Sequence, residues 1–393
     1  MPRLPPLCLL LLSACATAGG TGKRNASAGT CAPDGGWPDT PDLDATIDDL
    51  RAEARLPGLA VCALIDGEVA WCGGYGTLRG DSGGPVTPDT PFLMASVSKL
   101  ITATAVLQLA EGGDLDLDAD LDDEMPFTLK HPDDPSAPIT ARAALAHVAG
   151  IADNDRVMDN WYWTGEDPDL PLGELIEGYF DPGGVHYDAD RNFLGGGPEN
   201  INEYSNMGYA LLGQVVTEVA GDDFADVSRA RIFEPLGMSR TSWRLADLDA
   251  DTLAVPTSWS GGSWEDHGHT TYGDYPNGGL RSSACDMGRF LSAMAQGGTL
   301  DGARVLDDAT LSAAMQPAWP SLDDSQGLGW YQEDLGERDL WIGHSGGEAG
   351  VATDLFMHPS GDLGIVLLAN GDWDREQPIF DIEDAVLAWA KRQ

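Results

Sequence analysis

Ser96-Val97-Ser98-Lys99 sets a hydroxyl and an amine three residues apart at the start of a helical run that continues to Ala110. Residues three apart share a helix face, so the two groups can meet. A serine hydroxyl attacks poorly until a neighbour takes its proton. A lysine can take it where burial disfavours the ammonium form, and Val97, Leu100 and Ile101 offer an apolar surround. The free N–H groups at a helix start can stabilise a developing oxyanion. Alone, the same spacing also describes a surface N-cap. The chain has only four lysines, Lys23, Lys99, Lys130 and Lys391, so one at this spacing is informative. Tyr204-Ser205-Asn206 adds a phenol able to relay a proton and an amide able to hold a substrate. His344-Ser345-Gly346-Gly347 adds a strand end whose small residues let a substrate lie along the edge.

Positioning these groups takes both helices and strands. Leu43, Ile47, Leu50 and Ala54 recur at helical spacing from Asp42, and Pro57-Gly58 ends that helix. Leu59–Ile65 and Glu68–Tyr75 flank Asp66-Gly67 and predict a hairpin. From Ala95 to about Arg244 the pattern is mainly helical, broken by Gly/Asp/Pro loops, with a helix over Met207–Val219 after Tyr204-Ser205-Asn206. Strand-like runs return at Leu340–Gly343, Val351–His358 and Leu363–Ala369, and Asp381–Lys391 closes as a helix. Strands at both ends around a helical middle predict an α+β sheet domain with a helical insertion. The acidic run Asp114–Asp118 and the set Asp188, Asp190, Asn192 and Glu199 lack the turn glycine of a calcium loop and read as solvated loops.

The three chemical segments, in this order and at these separations, resemble the β-lactamase and penicillin-binding serine hydrolases, most closely the branch of class C β-lactamases, D-alanyl-D-alanine peptidases and esterases. Pro91–Ser96 leading into Leu109–Gly112 resembles that family's nucleophile helix, and Leu145–Gly150 its Leu-x-x-His-x-x-Gly segment. Phe233–Met238 and Gly278–Ser282 are similar to two further stretches. The resemblance implies a mostly antiparallel sheet flanked by the terminal helices, with an inserted helical subdomain. It implies Ser96 as nucleophile, Lys99 as its base and Tyr204 as proton shuttle. Asn206, Ser345 and Gly346 would contact substrate, the N–H groups of Ser96 and Gly347 would form the oxyanion hole, and His344 would line a carboxylate subsite. No metal or organic cofactor is implied, and the partner would be a small molecule or peptide cleaved at an amide or ester. Many β-lactamases of this branch carry Lys where His344 stands, whereas several peptidases and esterases carry His, which ranks peptide or ester above β-lactam. The acidic surface is expected to favour a protonated His344. A non-catalytic cell-wall-binding or penicillin-sensing protein is the alternative; retention of Ser96, Lys99, Tyr204 and Asn206 argues against it. His147 reads as a structural histidine. Trp161, Tyr162 and Trp163, like Trp259, Trp264, His267 and His269, fit either a pocket wall or packing.

The 393 residues, 42% of them hydrophobic, suffice for a large core, and 22 basic against 64 acidic residues leave a net charge of -42. Such a surface repels phosphate backbones and excludes nucleic acid as a natural partner. Met1-Pro2-Arg3 and the apolar Leu7–Leu12 read as an export signal too short to span a bilayer. Leu11-Leu12-Ser13-Ala14-Cys15 resembles a bacterial lipobox, which implies cleavage before Cys15, acylation of its thiol and a membrane-anchored protein of the cell envelope, periplasmic or surface-facing; a monomer is expected. Residues 1–15 then form the signal, 16–40 a flexible tether and 41–393 the hydrolase domain. Cys31, Cys62, Cys72 and Cys285 remain, enough for two disulfides in an exported protein, with three connectivities possible. A three-residue loop at Asp66, Gly67 and Glu68 would put Cys62 opposite Cys72; a two-residue turn would oppose Cys62 with Trp71. The first register leaves Cys31 to pair with Cys285.

Overall fold

Every residue from Gly58 to Leu64 is buried, a pattern met by a strand covered on both faces. The computed structural model of the protein describes residues 31–34, 36–335 and 340–393. Cys15 and most of the expected tether lie outside the described residues. The covered strand, β1 (Gly58–Ile65), belongs to a seven-stranded antiparallel sheet with β2 (Glu68–Arg79), β3 (Ser82–Pro85), β4 (Tyr331–Asp334), β5 (Leu340–Glu348), β6 (Val351–Met357) and β7 (Leu363–Ala369). The order β4-β5-β6-β7-β1-β2-β3 joins the two ends of the chain where β1 pairs with β7.

Alternation along the strands sorts side chains between two cores. Leu59, Val61 and Ala63 of β1, with Ile365 and Leu367 of β7, pack beneath the terminal helices α1 (Pro41–Ala54) and α5 (Glu376–Ala390). Ala60, Cys62 and Leu64, with Val366 and Leu368, face the opposite way into a larger core. That core holds α2 (Ser98–Gly112), α3 (Asn206–Ala220) and α4 (Ala284–Ala295). Helix α2 is buried on every side from Ser98 to Leu107, so its polar groups need internal partners. Thr102 donates to the Pro276 carbonyl at 2.7 Å and Thr104 to the Leu100 carbonyl at 2.7 Å.

The α+β architecture with flanking terminal helices matches the expectation, but several boundaries differ. The middle is less helical than its apolar spacing suggests. Between α2 and α3 it holds short helices at Ala141–Leu145, Asp155–Met158 and Leu172–Phe180, and a strand at Tyr162–Thr164 that pairs with Thr270–Tyr272. Strand β5 runs through Gly346 and Gly347 to Glu348, because pairing with β6 carries glycines that have no strand preference of their own. Helix α5 starts at Glu376, with Pro378 in its first turn, where no intrahelical N–H bond is lost.

Both expected disulfides are present, Cys62–Cys72 and Cys31–Cys285. The route to the first differs from the expected loop. Ile65 pairs with Glu68, so Asp66-Gly67 is a two-residue turn, which would oppose Cys62 with Trp71. A register shift between Ala63 and Leu64 leaves Ala70 unpaired and brings Cys62 opposite Cys72. The bulge, not a longer loop, sets the cysteines on one face.

Candidate active site

Ser96 lies in a single tight turn, Ala95–Val97, just ahead of α2. Ala95 has φ 45°, a left-handed conformation that a non-glycine residue holds only when its surroundings impose it. The imposing contacts flank the turn. Met94 N–H donates to the Leu280 carbonyl at 2.8 Å, and Leu280 N–H donates to Ser98 Oγ at 3.2 Å. Strand β5 closes the other side. A Cβ at Gly346 would lie 2.5 Å from the Met94 carbonyl and 2.9 Å from Ser96 N, so only glycine lets the strand approach the backbone of Ser96. Thr353 on β6 donates to the Met94 carbonyl at 2.8 Å, and Trp373 Nε1 donates to the Gly346 carbonyl at 3.0 Å.

Lys99 is fully buried one helical turn after Ser96. Its Nζ lies 3.2 Å from Ser96 Oγ, 2.7 Å from Asn206 Oδ1 and 2.8 Å from the Asn277 carbonyl. Burial pulls its pKa from 10.5 to about 7, against the opposing charges of Asp153 and Asp274. The free amine has two N–H groups and one lone pair. The two shorter contacts take the N–H groups, and the lone pair is left facing Ser96.

Tyr204 keeps 42% of its surface open, and its ring lies 4.7 Å from Lys99 Nζ. Desolvation raises its pKa above the ordinary range; contact with the Ser96 hydroxyl works the other way, and solvent at the open face softens the rise. The phenol therefore stays protonated at neutral pH. His147 supports it from below, the two ring centroids 4.4 Å apart. The His147 carbonyl accepts from Glu203 N–H at 3.0 Å and its Nδ1 from Ser205 N–H at 3.1 Å, so the residues on both sides of Tyr204 are tied to His147. Burial and the Lys99 charge hold its ring neutral.

His344 is buried on β5, its ring 6.3 Å from that of Tyr204 and 5.0 Å from that of Tyr331. Its Nδ1 donates to the Ser345 carbonyl at 2.6 Å, which leaves Nε2 as an acceptor. Burial, then the Lys99 charge, pulls its pKa to about 3. The expected imidazolium is thereby corrected: local desolvation outweighs the distant acidic surface, and the ring is neutral. Ser345 Oγ bonds the Tyr331 hydroxyl at 2.7 Å.

The structure thus brings Ser96, Lys99, Tyr204 and Asn206 together, sets the His344 ring beside that of Tyr204, and lays Gly346 of β5 against the Ser96 backbone, with Ser345 and Gly347 flanking it on the strand. Sequence reading missed Asp153, Asn277 and Tyr331. Asn277 precedes the Gly278–Ser282 stretch by one residue, and its role uses a main-chain carbonyl, which no residue type advertises. Among the aromatic candidates, Trp161 packs on Tyr179 and His186, and Trp259 packs on Trp264 at 4.7 Å, whereas Tyr162 stays exposed.

Comparison with known proteins bears on this geometry. The chain is 29% identical over 338 residues to penicillin-binding protein 4 of Amycolatopsis lactamdurans, covering 83% of this chain and 84% of that one. It is 30% identical over 224 residues to esterase EstB of Burkholderia gladioli, covering 54% and 53%. The fold is similar to that of D-amino acid amidase from Ochrobactrum anthropi, with a TM-score of 0.70 at 22% identity over 90% of this chain and 100% of that one. The Beta-lactamase family model matches residues 43–385, nearly the whole described domain, and the chain belongs to that family of serine hydrolases.

Proposed function

We propose that the protein cleaves amide or ester bonds through an acyl intermediate on Ser96, with peptides or esters preferred over β-lactams. The observation that carries this reading is the position of Lys99: buried, near half-deprotonated at neutral pH and 3.2 Å from Ser96 Oγ. The lone pair of Lys99 takes the hydroxyl proton as Oγ bonds to the substrate carbonyl carbon. The N–H groups of Ser96 and Gly347 receive the resulting oxyanion. The carbon–nitrogen or carbon–oxygen bond then breaks, and the leaving group takes a proton from Tyr204, which recovers it from Lys99. Water attacks the acyl group by the reverse proton path and frees Ser96. The neutral His344 offers no cation to a substrate carboxylate, in keeping with relatives named for esterase and amidase activity.

Purified protein exposed to a fluorescent penicillin, a fluorophosphonate and a chromogenic ester should be modified at Ser96 by the first two and turn over the third. Mass spectrometry locates each adduct and times its decay. Ser96→Ala should abolish labelling and turnover with the fold intact; hydrolysis retained in that variant would refute the mechanism. A penicillin adduct that never decays, with no ester turnover, would favour a penicillin-sensing role. Export, acylation of Cys15 and a monomeric state are part of the proposal. Export and acylation rest on the segment ending at Cys15 and on two disulfides that suit an oxidising compartment. Incorporation of labelled palmitate, lost in Cys15→Ser, tests the anchor.

A further inference from the structure

We propose that Asp153 is a positioning residue that fixes the amide orientation of Asn206 and holds up the basicity of Lys99. The role rests on Lys99 being the base assigned above. Asp153 lies in the loop after Gly150, and its two carboxylate oxygens accept four hydrogen bonds from the start of α3. Oδ1 accepts from Ser205 Oγ at 3.1 Å and Met207 N–H at 2.9 Å; Oδ2 accepts from Asn206 N–H at 2.9 Å and Asn206 Nδ2 at 2.8 Å. The last bond decides the site chemistry. A side-chain amide has one donor end and one acceptor end. With Nδ2 committed to Asp153, Oδ1 must face Lys99, where it lies 2.7 Å from Nζ. The reverse orientation would set N–H against N–H and release one of the two bonds that aim the lone pair at Ser96.

The carboxylate also acts through its charge. Lys99 faces Asp153 from the loop after Gly150, Asp274 from the loop before Asn277, the rings of Tyr204 and Tyr209, and the neutral His147 and His344. Asp153 is the larger of the two charges that oppose desolvation of the ammonium. Removing it lowers the affinity of Lys99 for the proton it must accept.

The test uses the full chain and the scarcity of lysine, since four resonances are readily assigned. The 13Cε shift of Lys99 is followed by NMR from acid to alkaline pH in the natural protein, Asp153→Asn and Asp153→Glu. Fluorophosphonate labelling of Ser96 is timed over the same range. The natural protein should titrate near pH 7. Asp153→Asn should titrate lower by about half a unit or more, its labelling profile should shift by the same amount, and its plateau should fall about tenfold. Asp153→Glu keeps the charge and displaces the oxygens, so its midpoint should stay near the natural one while its labelling slows. An unmoved Lys99 midpoint in Asp153→Asn overturns the proposal, as does a slower plateau without the shift, the signature of a merely structural loss. If Asp153→Asn does not fold, labelling of Asp153→Glu at the natural rate overturns it. A shifted Lys99 midpoint in a protein that no acylating probe modifies would instead refute the Ser96 reading and leave the Asp153–Lys99 linkage standing.

Discussion

Lys99 is close to half-deprotonated at neutral pH, so the reactivity of Ser96 should follow that one titration. The rate of fluorophosphonate labelling should rise with pH and reach half its plateau near pH 7, because only the free amine accepts the serine proton. His344→Gln should leave that midpoint nearly in place, since the imidazole it replaces is neutral throughout the range. A rate that falls as pH rises would remove Lys99 as base. A profile that moves strongly with the His344 substitution would return a charge to that ring. At this scale the sequence carried most of the chemistry. Ser96, Lys99, Tyr204 and Asn206 are named by type and spacing, because what each brings to the site is its own functional group. Asp153 and Asn277 are not, because one meets the site through Asn206 and the other through a main-chain carbonyl.

Elements were legible where burial imposes a period. The apolar run of β7 gives its limits directly, and the unbroken apolar run of β1 fits a strand whose side chains alternate between two buried cores. The bulge at Ala70 was not legible, since a single unpaired alanine leaves no trace in a hydropathy pattern, yet it decides which face Cys72 occupies. Nor was the junction between β6 and α5. There Asp354 and Glu383 are both buried and bonded to each other; desolvation raises both pKa values, and the Asp354 charge raises that of Glu383 further. A carboxyl group whose folded pKa lies above its unfolded value contributes stability at low pH that is lost as pH rises through the folded value. Gln at position 383 retains a donor for Asp354 and carries no charge to bury. Glu383→Gln should therefore raise the melting temperature at about pH 8 by several degrees and change it little at about pH 5. Equal shifts at both values would show that the pair does not titrate with folding.

For the whole molecule, a net charge of -42 makes self-repulsion a standing opponent of the folded state. Raising sodium chloride from about 0.05 to about 1 M shortens the screening length from roughly 14 to roughly 3 Å and should raise the melting temperature by several degrees. A melting temperature that falls with salt would show that the exposed ion pairs, such as Arg142–Asp118, outweigh the excess of like charge. The Cys31–Cys285 bridge has a mechanical meaning as well. It spans 254 residues and lands at the start of α4 in the core beneath the sheet. A pull on the chain ahead of Cys31 is therefore delivered through a covalent bond into the interior and bypasses α1, whose grip on α5 would otherwise be the first to bear tension and peel. The protein can be tugged from its amino end without that force reaching the face of the sheet where α1 and α5 lie, so long as the bridge is oxidised.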